Sequence, residues 1–221
     1  MLQTVLRASL PVSFGYVPLG AAFGVLLTGL GYGWWWALVM GLVIYAGSAQ
    51  FLAVGLLSAG AGALEADVAA LLLNLRHVFY GLAVRDRYRS MGKSGWYAVF
   101  GLTDETFSLL AGLGPQPADK AFIIGVTAFN QFWWVLGCLA GGLLGKSLPF
   151  STQGLAFSLT ALFAVLLIEQ MRQNPRWPAL AGAALSAAVC LALVPPQFFL
   201  ITAIALSALI LVLLPAPKET L

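Results

Sequence analysis

Residues 8–64 read ASLPVSFGYVPLGAAFGVLLTGLGYGWWWALVMGLVIYAGSAQFLAVGLLSAGAGAL, a run of 57 residues without a charged side chain. A helix needs about 20 mostly apolar residues to cross a bilayer, so the run is long enough for two spans and the start of a third. Its apolar residues are continuous and do not alternate with polar ones, which excludes the strands of a closed barrel. The run therefore predicts membrane-spanning helices.

The composition of the whole chain agrees with this prediction. Of its 221 residues, 61% are hydrophobic and only 9% are charged, whereas a soluble domain has about 25% charged residues. The 14 Phe, 7 Trp and 6 Tyr residues argue against disorder. We expect an all-α, polytopic integral membrane protein whose outer surface faces lipid.

The apolar stretches predict a single transmembrane domain over residues 1–221, with seven or eight hydrophobic segments of which six to eight cross completely. Their predicted bounds are 11–30, 34–58, 64–84, 95–113, 121–145, 152–170, 178–194 and 197–215. Cys138 and Cys190 lie inside apolar segments, which favours buried, inert thiols.

The positive charges concentrate in short loops. Arg85, Arg87, Arg89 and Lys93 crowd one of them, opposed by Asp86. Cytoplasmic loops carry an excess of Lys and Arg, so loop 85–93 is predicted to be cytoplasmic. These clusters of positive charge at membrane boundaries do not form a continuous basic face, so they argue against nucleic-acid binding.

A weak internal repeat runs through the chain. Phe14-Gly15 and Phe100-Gly101 open segments 86 residues apart, which suggests two three-segment units over residues 11–90 and 95–176, followed by the two extra segments. Either the units are inverted or each contains a re-entrant or broken segment, and the sequence leaves both open. Inverted repeats with interrupted helices are common in secondary transporters.

Polar and helix-breaking residues inside the first two segments are candidates for a site. Pro11 and Pro18, with Gly15 and Gly20, predict a disrupted first helix whose freed backbone faces substrate. Close helix packing is the alternative, because residues 20–24 and 137–141 are GxxxG patterns. In the second segment, Ser48 and Gln50 follow Tyr45 and bring hydrogen-bonding groups to membrane depth, where they line a site or bridge two helices.

Charged residues in the third and fourth segments give the strongest functional signal. Arg76 and His77 lie between Asn74 and Tyr80, and Asn74 and Arg76 can face one cavity only if the helix is interrupted there. Arg76 would recognise an anion or snorkel to the headgroups, and His77 would handle protons or bridge helices.

The fourth segment holds two adjacent acids. We expect Thr103 to cap a half-helix that has Asp104 and Glu105 in its first turn, near the positive end of the helix dipole. A structural ion pair between Arg76 and Asp104 is the alternative. In the fifth segment, Asn130 and Gln131 beside tryptophans line a pocket or join helices.

The combined list of candidate substrate-binding or coupling residues is Gly15, Tyr16, Pro18, Gly20, Tyr45, Ser48, Gln50, Asn74, Arg76, His77, Tyr80, Thr103, Asp104, Glu105, Asn130 and Gln131. No catalytic residue, metal site or cofactor is predicted, since the chain has one His, two distant Cys and no CxxC, HExxH or Walker motif. A channel, a non-transporting assembly subunit and, with less support, an intramembrane enzyme remain alternatives to a transporter.

Four motifs occur together and in order: Gly15-Tyr-x-Pro18-x-Gly20-x-x-Phe23-Gly24, Tyr45-Ala-Gly-Ser-Ala-Gln-Phe51, Asn74-x-Arg-His77-x-x-Tyr80-Gly81 and Thr103-Asp-Glu-Thr-Phe107. This set resembles the AzlC/YgaZ family of branched-chain amino acid permeases. The resemblance implies export of branched-chain amino acids such as valine across the bacterial inner membrane, with a small AzlD/YgaH-type membrane partner. The family often has an Asp where this chain has Ala156, which leaves coupling and substrate open.

Overall fold

The computed structural model describes residues 1–111, 119–145 and 177–213, together with residues 147, 164, 167–168 and 171–172. These parts of the chain are helical and contain no strand, which confirms the all-α prediction. The helices are α1 Leu2–Gly29, α2 Trp34–Val43, α3 Gly47–Ala59, α4 Ala63–Asn74, α5 Arg76–Arg89, α6 Gly95–Phe100, α7 Asp104–Ala111, α8 Lys120–Gly145, α9 Trp177–Leu193 and α10 Pro196–Leu213, with a short 3₁₀ turn at Gly92–Ser94. The predicted segment 152–170, Ala156 within it, falls almost wholly outside the described residues.

Among the described helices, α1 and α8 are long and apolar enough to cross a membrane alone, with 28 and 26 residues. The broken pair Ala63–Val78 and Tyr80–Arg89 makes a third span if it is counted as one. Helices α2, α3 and α9 are shorter apolar helices of 10 to 17 residues. Full crossing by six to eight segments therefore stays a prediction.

The chain divides into two compact units. One comprises residues 1–55 and 74–155, and the other comprises residues 56–73 and 156–221. In the second unit α9 packs against α10, and the two helices are separated at Val194 and Pro195, as the Pro-Pro pair predicted. Cys190 is buried on α9, and Cys138 is buried on α8 of the first unit, so both thiols are placed as expected.

The first unit is organised around the close packing of α1 on α8, with α2 beside both. A Cβ atom built at Gly20 would lie 2.8 Å from the carbonyl oxygen of Trp134 and 2.9 Å from the nitrogen of Cys138. At Gly24 it would meet backbone atoms of Cys138 and Gly142, and at Gly141 it would meet the backbone of Ala21. The two GxxxG patterns therefore pack against each other, because only glycine lets these backbones approach.

The predicted disruption of the first segment is wrong. Helix α1 is continuous from Leu2 to Gly29 and contains both Pro11 and Pro18. A proline removes one backbone hydrogen bond, but a membrane helix tolerates it where neighbouring helices support the backbone, and packing on α8 supplies that support. A Cβ atom placed on Gly15 would meet no described atom within 4 Å, and the helix around this residue exposes no unwound backbone to a ligand.

The helix interruptions lie at three other places. Residues 44–46 separate α2 from α3, and residues 101–103 separate α6 from α7. Leu75 separates α4 from α5, a few residues before a bend of 55° between Val78 and Tyr80. The break before α7 confirms the half-helix expected after Thr103. The break at Leu75 is the interruption without which Asn74 and Arg76 could not face one cavity. The first break was not predicted, and at its centre Tyr45 adopts a positive φ of 44°, which is uncommon for a residue other than glycine.

We predict that Gly24→Ala destabilises the protein by about 1–3 kcal/mol, because its methyl group must displace the backbone of α8. The measurement is the apparent melting temperature in detergent. Gly15→Ala is the matched control in the same helix, where the methyl group enters open space and the better helix propensity of alanine leaves stability equal or higher. Equal losses for the two variants would show that the α1–α8 packing is not the source.

Candidate functional site

The first turns of three half-helices meet at Arg76, the first residue of α5. Its Nη2 donates a hydrogen bond to Oγ of Ser48 at 2.7 Å, and its Nη1 lies 3.0 Å from Oδ2 of Asp104. Ser48 is the second residue of α3, and Asp104 is the first residue of α7. The ion pair of Arg76 and Asp104 is the one given above as the structural alternative, and Ser48 also bonds to Arg76. Each of the three residues lies at the start of a helix, immediately after a break.

The ion pair of Arg76 and Asp104 keeps unused bonding capacity. The two side chains are 37% and 41% exposed. The Nε of Arg76 and the Oδ1 of Asp104 have no hydrogen-bond partner among the described residues. Both residues lie at the N-terminus of a helix, where the helix dipole is positive. This dipole stabilises the carboxylate of Asp104 and destabilises the guanidinium of Arg76, so the negative charge of Asp104 also stabilises Arg76. Each partner can therefore accept a further polar group.

Aromatic side chains border the ion pair one helical turn further along. Tyr80 follows Arg76 by four residues, Phe107 follows Asp104 by three, and their rings stack with centroids 4.4 Å apart and planes at 11°. The ring of His77 meets Tyr80 edge-on at 5.6 Å, and its Nδ1 lies 3.1 Å from the carbonyl oxygen of Asn74. The pair thus has an apolar, aromatic neighbour on the side toward the basic loop.

The basic residues predicted to form loop 85–93 lie partly in a helix, because α5 continues to Arg89. Arg87 indicates how far the ion pair lies from the end of that helix. It is eleven residues after Arg76 on α5, which is about 16 Å along a helix. Its Nη1 donates to the carbonyl oxygen of Leu110 at 2.6 Å, so it satisfies the last turn of α7.

A second polar cluster surrounds the start of α7. Thr103 Oγ1 accepts a hydrogen bond from the backbone N–H of Thr106 at 3.2 Å, which confirms the predicted N-cap. The hydroxyl of Tyr16 on α1 lies 2.7 Å from Thr103 Oγ1 and donates to Glu105 Oε2 at 2.6 Å. Asp104 and Glu105 therefore turn to different partners, as their angular separation on a helix requires.

Buried polar side chains join α1, α7 and α8 behind this cluster. Asn130 accepts from the Ser9 hydroxyl at 2.7 Å and donates to Thr106 Oγ1 at 3.0 Å, and all three residues are fully buried. Trp133 Nε1 donates to Ser9 at 3.1 Å. Ser9 and Thr106 were not among the sequence candidates, because lone hydroxyl residues in an apolar run carry no distinguishing spacing.

The amide candidates act as links between helices. Gln50 accepts from Trp134 Nε1 at 2.8 Å, while Gln131 accepts from the Tyr97 hydroxyl at 2.8 Å and donates to the Leu42 carbonyl at 3.1 Å. These are the bridging roles given above as alternatives. Among the described residues, no three His, Cys, Asp or Glu side chains lie together as a metal site would need.

The sequence candidates thus sort into two groups and a set of amide links between helices, which are Gln50, Asn130 and Gln131. The ion-pair group is Ser48, Arg76 and Asp104, with Tyr80 and His77 beside it and the Asn74 carbonyl bonded to His77. The hydroxyl–carboxylate group is Tyr16, Thr103 and Glu105, with Tyr45 nearby. The structure does not bring Gly15, Pro18 or Gly20 to either group, because α1 is continuous and Gly20 packs on α8.

The family model described as AzlC protein matches residues 11–148, a range that holds the ion pair and both acids. The chain belongs to the AzlC family. It is 36% identical over 208 residues to the branched-chain amino acid transport protein AzlC of Bacillus subtilis, covering 93% of this chain and 82% of that protein. It is 30% identical over 178 residues to the inner membrane protein YgaZ of Escherichia coli, covering 76% and 72% of the two chains.

An uncharacterized membrane protein of Helicobacter pylori is 38% identical over 207 residues, covering 93% of this chain and 91% of that one. No solved structure matches the chain. The membership in the AzlC family confirms the resemblance read from the four motifs. Together with the apolar helices, it establishes an all-α integral membrane protein.

We predict that Thr103→Val lowers stability by about 1 kcal/mol, because the N–H of Thr106 loses its cap and Tyr16 loses a hydroxyl neighbour. In a protein of this size such a loss lowers the melting temperature by roughly 2–4 °C. Thr103→Ser keeps the hydroxyl and should match the parent chain. A valine variant as stable as the serine variant would mean that the cap contributes nothing.

Proposed function

We propose that this AzlC family member is a secondary transporter that exports branched-chain amino acids such as valine across the bacterial inner membrane. The observation that carries the proposal is the Arg76–Asp104 ion pair, set where three half-helices begin. In transporters, substrate sites near the midplane are commonly formed by such discontinuous helices. The name of the Bacillus subtilis relative supports the substrate class.

The charges of the pair match those of a zwitterionic amino acid. The substrate carboxylate takes the place of Asp104 on the guanidinium of Arg76, and the substrate ammonium takes the place of Arg76 on the carboxylate of Asp104. A split ion pair is costly, because each charge is left without its partner at membrane depth. A zwitterion inserted between them restores one opposite charge on each side, whereas a simple anion or cation restores only one.

The two atoms of the ion pair that lack a hydrogen-bond partner among the described residues support the same arrangement. Arg76 Nε and Asp104 Oδ1 are buried and without a partner among the described residues, so each offers a second point of contact to the inserted ligand. Ser48, already bonded to Arg76, keeps the guanidinium in place when Asp104 is released. The amino and carboxyl groups of the substrate would thus meet groups that are already oriented.

The aromatic residues beside the pair suit an aliphatic side chain. The stacked rings of Tyr80 and Phe107 lie one turn beyond Arg76 and Asp104 on the same two helices. Burying a Val, Leu or Ile side chain is worth about 1.5–3 kcal/mol. A flat aromatic wall next to the charged groups therefore favours a branched aliphatic amino acid over glycine or a charged one.

The family resemblance supports the remaining parts of the proposal. These are the export direction and the small AzlD/YgaH-type membrane partner. The chain is proposed to act as a transporter and not as an enzyme, with loop 85–93 in the cytoplasm. A channel would give flux that does not saturate with valine concentration, and an assembly subunit would give no flux in the presence of its partner.

We predict that Asp104→Asn and Arg76→Gln each reduce valine efflux from preloaded vesicles by at least about tenfold, since a hydrogen bond to a charged group contributes roughly 1.5–3 kcal/mol. Each variant also loses stability, because the other charge is left unbalanced. The measurement pairs valine efflux with the melting temperature. Asp67→Asn, which removes an exposed acid on α4, is the control and should keep both.

The double variant Arg76→Gln/Asp104→Asn separates binding from folding. It removes both charges, so we expect it to recover stability relative to either single variant while valine efflux stays lost. Recovery of efflux along with stability would mean that the pair only holds the helices together. Unchanged efflux in both single variants would overturn the assigned roles.

We predict that Ser90→Cys is labelled by a membrane-impermeant maleimide from the cytoplasmic side. Ser90 is exposed in the basic loop, and the buried Cys138 and Cys190 of the parent chain should remain unlabelled as the internal control. Inverted membrane vesicles should react and intact cells should not. The opposite pattern would place the loop outside and reverse the proposed orientation.

A further inference from the structure

The two adjacent acids of α7 have different surroundings. Asp104 is paired with Arg76, which balances its charge. Glu105 accepts a hydrogen bond from Tyr16 at 2.6 Å and forms no ion pair with any residue that the structure describes. The peptide bond between the two residues means that neither can move far without the other.

A group of hydroxyls lies near the Glu105 carboxylate. Tyr16, 5% exposed, donates to it from α1, and Thr103 lies beside Tyr16. Tyr45, 3% exposed at the α2–α3 break, lies within electrostatic range of Glu105, and its hydroxyl lies close to those of Tyr16 and Thr103 without a hydrogen bond of ordinary geometry to a described residue.

Among the described residues, further titratable or charged groups that interact with Glu105 or with its neighbour Asp104 lie on α5. Tyr80 on α5 lies within electrostatic range of Glu105 and, more strongly, of Asp104. The nearest charges are those of Asp104 and its partner Arg76, which balance each other. The Glu105 side chain is also exposed at the surface of the chain.

A group of hydroxyls of this kind can hold a carboxyl group in two protonation states. Tyrosine and threonine hydroxyls both donate and accept, so they can donate to the carboxylate or accept from the neutral acid. The Tyr45 hydroxyl, close to that of Tyr16, can accept its hydrogen bond when Glu105 no longer does. A lysine or arginine in the same place would hold one state only, as Arg76 does for Asp104.

The geometry points to Glu105 as the proton-binding residue that couples amino acid export to proton entry, a role distinct from that of the Arg76–Asp104 substrate pair. This inference rests on the proposed function and adds its coupling ion. In each cycle the Glu105 carboxylate takes one proton from water on the outer side and returns it to water on the cytoplasmic side. No other bond is made or broken.

The link between proton and substrate runs through the first turn of α7. Helix α1 is fixed on α8 by the glycine contacts, so Tyr16 is a fixed point. Ionised Glu105 accepts a charge-assisted bond from Tyr16 and ties that turn to α1, whereas a neutral carboxyl group binds more weakly. Protonation therefore loosens the turn that also positions Asp104 against Arg76.

The test is made on the full chain in proteoliposomes, together with its small membrane partner if flux requires one. Valine exchange is measured with valine on both sides and a labelled tracer, without an ion gradient. Proton movement is measured with a pH-sensitive dye trapped inside vesicles that carry a valine gradient. Exchange needs the substrate pair, and valine-driven proton movement needs the coupling residue as well.

For Glu105→Gln we expect exchange within about threefold of the parent chain and valine-driven proton movement at background. Glu105→Asp, which keeps a carboxyl group, should recover part of the proton movement. Asp104→Asn should lose both activities. Glu65→Gln, which removes an acid from the start of α4, should keep both and serves as the matched control.

The inference would be overturned if Glu105→Gln kept the same ratio of proton movement to valine exchange as the parent chain. It would also be overturned if the parent chain exchanged valine without moving protons. Loss of exchange in Glu105→Gln at an unchanged melting temperature would also overturn it, because the two acids would then share one role. Absence of valine exchange in the parent chain would contradict the proposed function itself, which is a different result.

Discussion

The close contact of α1 with α8 is the interaction on which the rest of the first unit depends. In hydrocarbon, attraction between helices comes from tight packing, not from exclusion of water, so the glycine faces around Gly20 and Gly141 are what allow these two long helices to associate. Buried side chains add a second layer, because Ser9, Asn130 and Thr106 satisfy one another across three helices. The result is a rigid pair against which shorter, interrupted helices can be placed.

Interrupted helices are tolerable only where protein or water satisfies the freed backbone groups. The residues that meet at Arg76 come directly after the three breaks that follow α2, α4 and α6. The helix interruptions and the candidate site therefore lie at the same place. The chain is turned at these breaks in different ways. Thr103 caps α7 with its hydroxyl, whereas Tyr45 turns the chain with a positive φ and places its ring in the interior.

Sequence patterns predicted the fold class, the bounds of α8, α9 and α10, and the α7 cap. They also offered the ion pair of Arg76 and Asp104 as an alternative. They failed at α1, where proline content indicated a break that packing on α8 prevents, and at Tyr45, where the break depends on a backbone conformation that no residue type announces. The pairing of the two GxxxG faces and the contact of Ser48 with Arg76 are long-range contacts. Local periodicity contains no information about which distant surfaces meet.

The bond from Arg87 to the carbonyl of Leu110 has a consequence for how the protein is assembled. With eight residues, α7 is about 12 Å long and cannot be recognised as a membrane span by its own length. Its last turn is bonded to Arg87 in the last turn of α5, and its first turn is bonded to α1 and α5. We therefore expect the long helices to insert first and α7 to be seated afterwards, so that its acids enter the interior when their partners are already in place.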